Sequence, residues 1–158
     1  MNDMEAKLAP ANLHATGLVA AGAGVIISGG SGSGKSSLAF ELVERGRQSG
    51  RFSRLVSDDQ ILLSSAGDRL VMRAPAPIAG LAEIRGYGVA AVDHEPASVV
   101  DLMVELVPPE EAPRHRRDKI RDLHGVPIAC LELRERDSAG SARAILAWLA
   151  GRFVESEA

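Results

Sequence analysis

A glycine-rich stretch near the start of the chain combines the residue types that bind phosphate groups. Residues 29 to 36 read Gly-Gly-Ser-Gly-Ser-Gly-Lys-Ser, which fits the spacing G-x-x-x-x-G-K-[ST] of a phosphate-binding loop, or P-loop. Glycines allow backbone conformations that turn successive N–H groups inward, and such a loop forms a concave anion site. The predicted nucleotide-binding residues are Gly29, Gly30, Ser31, Gly32, Ser33, Gly34, Lys35, Ser36 and Ser37.

The residues on both sides of this loop predict the elements that the motif requires. Val25 to Ser28 is a short β-branched run typical of a strand, and the spacing of Leu38, Leu42 and Val43 predicts a helix that ends near Gly46. Lys35 is expected to reach the outer phosphates, and Ser36 to ligate magnesium. The alternative is a flexible Gly/Ser turn, which would need neither the Lys-Ser pair nor a strand before it and a helix after it.

Two adjacent carboxylates follow a second predicted strand. Residues 52 to 57 are apolar enough for a strand, and Asp58 and Asp59 come directly after it. Acids at the carboxyl end of a strand downstream of a P-loop suit a magnesium ligand or a catalytic base. The alternative is that the pair caps a turn.

The remaining pattern predicts more strands than helices. We therefore expect an α/β fold in which a P-loop belongs to a mixed β-sheet with flanking helices, rather than a doubly wound sheet of alternating units. Residues 81 to 89 are left open, because their alternation fits a half-buried strand as well as a functional segment. The other predicted elements are a strand over 12–20, a hairpin of 60–65 with 68–73, strands over 99–107 and 126–133, a short polar helix over 116–123, and an amphipathic helix over 139–153.

Length and composition restrict the possible classes of function. A chain of 158 residues predicts one domain, with residues 1 to 9 as a loose start. The net charge of −3 and the scarcity of aromatic residues argue against nucleic-acid binding. A solvated helix face is the favoured interpretation, over a phosphate site, for the basic cluster of Arg114, Arg116, Arg117, Lys119 and Arg121.

The sequence also gives expectations for the cellular compartment. Cys130 is the one cysteine and lies in an apolar stretch, so we expect a buried thiol and no intrachain disulfide. The first residues resemble no secretory signal, and residues 17 to 27 are too short and glycine-rich to span a bilayer. We expect a cytoplasmic protein without a membrane partner.

Five features follow one another along the chain and together span residues 14 to 89. They are His14, Gly29 to Ser36, Leu55 to Asp59, Pro77 to Leu81, and Glu83 to Val89. In this order they resemble the catalytic C-terminal domain of the HPr kinase/phosphorylase family, and they are far more specific than a P-loop alone. The last of them is similar to the family signature E-I-R-G-L-G-I, with Tyr87 and Val89 as departures.

The resemblance implies an activity and roles for particular residues. Members use ATP and Mg²⁺ to phosphorylate a serine of HPr, a phosphocarrier protein of the sugar phosphotransferase system, and can reverse the reaction with phosphate. By position, Asp58 would be the catalytic base, and His14 and Lys35 would also be catalytic. Ser36 and Glu83 would bind magnesium, and Asp59 is assigned to the same metal site.

The resemblance also implies the HPr kinase / PEP carboxykinase-like fold and a homo-oligomer, a hexamer in the family. We expect a short form without the amino-terminal domain found in many members. The family's later catalytic arginine would be Arg114, Arg116 or Arg117, and its dephosphorylation loop would lie at 134–140. Two other functions stay open: a regulator that senses ATP or phosphate with little turnover, and a P-loop kinase of a small metabolite.

Overall fold

The computed structural model describes residues 10 to 157, and the side chains of residues 10 to 152. The predicted loose start at 1–9 lies outside the described residues. Two α-helices, α1 (Lys35–Gln48) and α2 (Ser138–Glu157), accompany twelve strands in the described part. The strands are β1 (Ala11–Leu13), β2 (Thr16–Ala20), β3 (Ala23–Ser28), β4 (Arg54–Ser57), β5 (Ile61–Ala66), β6 (Arg69–Arg73), β7 (Leu81–Ile84), β8 (Gly88–Ala91), β9 (Ala97–Val99), β10 (Leu102–Val107), β11 (Lys119–Leu123) and β12 (Val126–Arg134).

A mixed sheet of six strands in the order β11-β12-β10-β3-β2-β4 forms the centre of the molecule. Strands β3, β10 and β12 are parallel, and β2 runs antiparallel to both β3 and β4. The carboxyl ends of β3, β4, β10 and β12 therefore lie at one edge of the sheet. The P-loop follows β3 at this edge, and Asp58 follows β4.

The central sheet is covered on both faces, and its residues alternate between two cores. Val25 and Ile27 pack with the buried faces of α1 and α2, whereas Ile26 packs toward a second sheet of order β1-β5-β6-β9. All three side chains are fully buried, and each such burial contributes about 1.5–3 kcal/mol. This burial fixes β3 and, with it, the start of the P-loop.

The predicted α/β fold with a mixed sheet and flanking helices is confirmed. The predicted helix at 139–153, the strand at 126–133 and the hairpin of 60–65 with 68–73 correspond to α2, β12 and β5–β6. Cys130 is buried, as expected, with 2% of its surface exposed.

The predicted helix over 116–123 is wrong. This segment contains the edge strand β11, which pairs antiparallel with β12 from Lys119 opposite Cys130 to Leu123 opposite Val126. His124 and Gly125 join the two strands, and both have positive φ (52° and 82°), as in a tight two-residue hairpin turn. Because β11 pairs with the largely buried strand β12, the segment is extended although its polar sequence predicted a helix. The basic cluster consequently lies on an irregular segment and an edge strand.

Three predicted boundaries also differ from the structure. The strand predicted over 99–107 is split between β9 and β10, which belong to different sheets, and the one over 12–20 is split between β1 and β2. Helix α1 continues through Gly46 to Gln48. Gly46 is needed inside the helix because a Cβ there would lie 1.8 Å from the Ser53 hydroxyl oxygen.

Candidate active site

The P-loop connects β3 to α1 and keeps an open outer face. Gly32 and Gly34 have φ of 74° and 93°, in the left-handed region that favours glycine. A Cβ at Gly30 or Gly32 would meet no heavy atom within 4 Å, whereas a Cβ at Gly29 would lie 2.6 Å from the Ser33 hydroxyl oxygen. Gly29 is thus needed for packing, and Gly30 and Gly32 leave room beside the loop.

Lys35 and Ser33 carry polar groups that a phosphate could engage. The Lys35 Nζ donates to the carbonyl oxygens of Gly29 and Gly30, at 3.1 Å each. Its side chain curls back over the loop and is 7% exposed. The Ser33 hydroxyl is buried and has no hydrogen-bond partner among the described residues. The loop therefore has a cation and a spare hydroxyl, which fit a phosphate group.

Asp58 lies where three elements meet, and its carboxylate accepts a hydrogen bond from each. The Ser36 hydroxyl at the start of α1 donates at 2.6 Å, the Thr16 hydroxyl of β2 at 3.3 Å, and the main-chain N–H of Glu83 in β7 at 3.1 Å. Asp58 is 8% exposed. The structure thus brings the P-loop serine and this carboxylate, 22 positions apart in sequence, into direct contact.

The side chain of Asp59 pairs with His14 instead of joining the hydrogen bonds around the Asp58 carboxylate. Its φ of 67° is left-handed, and its carboxylate oxygen lies 3.3 Å from His14 Nε2, with both side chains about 60% exposed. The Thr16 hydroxyl accepts the main-chain N–H of Asp59 at 3.3 Å and also donates to Asp58. Thr16 was missed from the sequence, because a threonine in a strand carries no spacing signal.

A cavity of about 320 Å³ opens beside the two aspartates. Leu81 and Val89 of the β7–β8 hairpin form part of its wall, with both of them exposed at the surface. The signature segment that the sequence left open is therefore a hairpin, and its β7 strand contacts Asp58 through the main chain. The lining residues are Asp58, Asp59, Gln60, Ile78, Leu81, Ala82, Glu83 and Val89.

The candidate metal ligands are only partly assembled. Ser36 contacts Asp58 rather than Asp59, and the side chain of Glu83 is exposed. Over residues 10 to 152, no group of three His, Cys, Asp or Glu side chains is arranged to hold a metal ion. The hydroxyl of Ser36 and the carboxylate of Asp58 supply oxygen atoms, which are the ligands that magnesium prefers.

Two basic segments from the later half of the chain lie at different distances from the P-loop. Arg136, between β12 and α2, hydrogen-bonds to the loop directly. Arg114, Arg116 and Arg117 instead line a cavity of about 330 Å³ together with β12 and Trp148 of α2, and none of its lining residues belongs to the P-loop. No helix within the described part is both long and apolar enough to cross a membrane.

The sequence is similar to those of several named proteins. A relative named HPr kinase/phosphorylase from Exiguobacterium sibiricum is 45% identical over 93 residues, which are 58% of this chain and 28% of the relative. A protein of the same name from Geobacillus thermodenitrificans is 38% identical over 122 residues, which are 70% of this chain and 37% of the relative. The chain thus spans about a third of the length of these curated relatives.

The fold is similar to that of a solved structure described as the HPr(Ser) kinase/phosphatase from Coxiella burnetii. The TM-score is 0.76 at 24% sequence identity, and the match covers 93% of each chain. The model of the HPr serine kinase C-terminal domain matches residues 6 to 132, which is most of the sequence. The chain therefore belongs to the HPr serine kinase C-terminal domain family.

Proposed function

We propose that this protein is an ATP- and Mg²⁺-dependent kinase of a serine in the phosphocarrier protein HPr, with the reverse reaction, driven by phosphate, as a further activity. One observation carries the proposal. The hydroxyl of the P-loop residue Ser36 and the carboxylate of Asp58 are 2.6 Å apart, and Asp58 lines the cavity beside the signature hairpin. This contact supports a proposed nucleotide site at the P-loop next to a proposed acceptor site in the cavity.

The residues of the P-loop fit a nucleoside triphosphate and its magnesium ion. The space beside Gly30 and Gly32, the unpartnered Ser33 hydroxyl and the Lys35 ammonium group can all serve phosphate oxygens. The amino terminus of α1 adds the favourable end of a helix dipole. Ser36 and Glu83 would hold magnesium, with Asp59 as a further proposed ligand, and the bound ion would neutralise charge on the phosphates.

Asp58 is the proposed base of the transfer step. Its carboxylate would accept the proton of the serine hydroxyl as that oxygen bonds to the γ-phosphorus, while the bond from phosphorus to the bridging oxygen breaks and ADP leaves. Thr16 and the N–H of Glu83 keep the carboxylate in place. His14 is exposed beside this site, where its Nε2 lies 3.3 Å from a carboxylate oxygen of Asp59. It is proposed to contact the acceptor protein.

The surface around the cavity supports a protein acceptor over a small metabolite. Val89 and Tyr87 of the hairpin are 67% and 78% exposed, and Leu81 and Ile84 are 37% exposed. Exposed apolar side chains gathered beside a reactive group are typical of a protein contact site. These apolar side chains would make no favourable contacts with a polar metabolite.

Transfer of phosphate to purified HPr, measured by mass spectrometry, tests the proposal. With Mg²⁺ and ATP, HPr should gain one phosphate, and an HPr variant without its acceptor serine should gain none. Lys35→Ala should slow the transfer by roughly 100-fold, because an electrostatic contact to the phosphates is lost. Arg143→Ala, which removes an exposed charge on α2, is the matched control and should transfer normally.

The possible outcomes separate the three candidate functions. A chain that binds Mg²⁺ and ATP but leaves HPr unmodified would favour the regulator. Consumption of ATP that depends on a metabolite rather than on HPr would favour the metabolite kinase. Full activity of a folded Lys35→Ala variant would contradict the P-loop interpretation itself.

A further inference from the structure

Arg136 joins the turn between β12 and α2 to the P-loop, although 104 positions of sequence separate it from Gly32. Its main-chain N–H donates to the carbonyl oxygen of Ser33 at 2.9 Å. Its side-chain Nε donates to the carbonyl oxygen of Gly32 at 3.1 Å. Two successive carbonyl groups of the loop are thus bound by one residue.

The turn that carries Arg136 is itself held in place on both sides. The N–H of Glu135 donates to the carbonyl of Val107 at the end of β10, at 2.9 Å. The Asp137 carboxylate accepts the N–H of Gly140 at 3.1 Å and so caps the first turn of α2. Arg136 therefore approaches the loop from a fixed support rather than from a free end.

The backbone of Arg136 is in a conformation that arginine rarely adopts. Its φ is 56°, in the left-handed region where a side chain with a Cβ is strained. Neither the N–H bond to Ser33 nor the turn requires an arginine side chain, and glycine would suit this backbone better. A strained residue that persists beside a ligand site indicates that its side chain has a use there.

Peptide geometry shows what the main-chain contact and the side-chain contact of Arg136 each do. In a trans peptide unit the carbonyl and the following N–H point in opposite directions. When Arg136 holds the carbonyl of Ser33, the N–H of Gly34 is directed to the other side of the loop. The side-chain contact fixes the preceding peptide unit: the carbonyl of Gly32 accepts from Arg136 Nε at 3.1 Å, and the N–H of Ser33 closes a turn within the loop by donating to the carbonyl of Gly30 at 3.1 Å. Carbonyl oxygens that turned inward would repel phosphate.

We infer that Arg136 is a positioning residue of the P-loop: it holds the loop in its phosphate-binding shape before the nucleotide arrives. The inference rests on the proposed nucleotide site and adds a residue to it. Preordering of the loop lowers the entropic cost of binding. Arg136 contacts none of the hydrogen-bonding partners of Asp58 described above, so its loss acts on nucleotide affinity rather than on proton transfer.

Arg136→Gly tests the inference, because glycine removes the side chain and relieves the strained backbone. The melting temperature is expected to stay the same or rise. The dissociation constant for Mg²⁺ with ATP, measured by calorimetry, is expected to increase roughly tenfold or more, the scale for a hydrogen bond from a charged group. Turnover of HPr at saturating ATP is expected to change little.

Two control variants separate the loss of the Arg136 contact from two general effects, the relief of a strained backbone and the loss of a positive charge. Ala21→Gly relieves a similar left-handed residue, with φ of 49°, in the turn between β2 and β3 and should leave nucleotide affinity unchanged. Arg143→Ala removes an exposed positive charge from α2 and should also leave it unchanged. An effect confined to Arg136→Gly would then belong to the contact with the P-loop.

Other results would overturn either the inference or the proposed function on which it rests, and they can be told apart. Unchanged affinity in a folded Arg136→Gly variant would show that the contact does not serve the nucleotide. A lower melting temperature with unchanged affinity would assign Arg136 to folding alone. A wild-type chain that does not bind ATP would remove the nucleotide site as well. A wild-type chain that binds ATP but does not modify HPr would remove the proposed activity and leave the role of Arg136 standing.

Discussion

Asp58 and Asp59 are neighbours in sequence with different surroundings. Adjacent residues of an extended strand point to opposite sides, and this predicts that the two cannot share one role. Strand β4 ends before them, at Ser57, and the left-handed backbone of Asp59 contributes to their separation. Asp58 is buried against Ser36, and Asp59 is exposed beside His14.

We predict different losses for the two conservative variants. Asp58→Asn keeps the shape of the side chain but cannot take a proton, so it should slow serine phosphorylation by roughly 100-fold or more. Its affinity for ATP should change little, because the loop amides and Lys35 hold the phosphates. Asp59→Asn should have a smaller effect that varies with magnesium concentration. Transfer rates and nucleotide affinity across a magnesium series measure both.

The same series can reverse the assignment. If Asp59→Asn loses turnover and Asp58→Asn does not, Asp59 is the base. If the loss in Asp58→Asn is recovered at high magnesium concentration, the contact between Asp58 and Ser36 marks a metal ligand instead.

Among single residues, the sequence analysis selected those with characteristic chemistry, and it did not find the contacts that depend on how the strands are arranged. The glycine spacing with Lys35 and Ser36 could be recognised directly. The bridge that Thr16 makes between Asp58 and the backbone of Asp59 could not, because it depends on β2 lying beside β4. The contact of Arg136 with the loop likewise depends on how β12 pairs with β10.

The β7–β8 hairpin shows how an element can serve the site with both its backbone and its side chains. Gly86 and Gly88 have φ of 86° and 116°, and the Tyr87 N–H donates to the carbonyl of Ile84 at 2.9 Å, so the tip is a tight turn. The backbone of Glu83 holds Asp58. The apolar side chains of Leu81, Ile84 and Val89 and the ring of Tyr87 are exposed along the hairpin.

We predict that the hairpin contributes to recognition of the protein acceptor. Val89→Ser should raise the KM for HPr by roughly tenfold, the scale for burying one aliphatic side chain, without changing affinity for ATP. Ile120→Ser is the matched control, since Ile120 on β11 is 66% exposed and Val89 is 67% exposed. Steady-state kinetics with varied HPr measures both. Equal effects of the two variants would remove the hairpin from recognition.

At the scale of the whole molecule, the sequence predicted the class of fold but not the arrangement of strands. Local patterns predicted β3, β4 and β12, and the excess of strands indicated a mixed sheet. The order β11-β12-β10-β3-β2-β4 depends on pairings between distant segments, which no local pattern records. The segment 116–123 was assigned to a helix for a different reason: its own residues are mostly charged, and this local pattern hid the hairpin that it forms with β12 across the two-residue turn at His124 and Gly125.

Assembly is a second property of the whole chain. Hexamers are a feature of the family that the sequence resembles, and on that basis we predict an oligomer. Light scattering at the concentration of the kinase assay should give a mass of several chains. A monomer that phosphorylates HPr at the full rate would contradict this prediction, and dilution below the assembly threshold should otherwise lower activity.

The thiol of Cys130 links stability to alkaline pH. Burial and the nearby Glu105 carboxylate raise the pKa of Cys130 from 9.0 to about 12. Between these values the thiol stays protonated in the folded chain and ionises in the unfolded chain. The unfolded state then binds fewer protons, so stability falls as the pH rises through this range.

We therefore predict that Cys130→Ala makes the melting temperature less sensitive to alkaline pH. Alanine at this buried position leaves a small cavity and should lower the melting temperature at neutral pH. The cavity does not titrate, so the informative quantity is the slope of melting temperature against pH from about 9 to about 11. Circular dichroism should give a steeper fall for the wild type than for the variant, because the two chains differ only in the thiol. Parallel slopes would show that the ionisation of Cys130 is not coupled to unfolding.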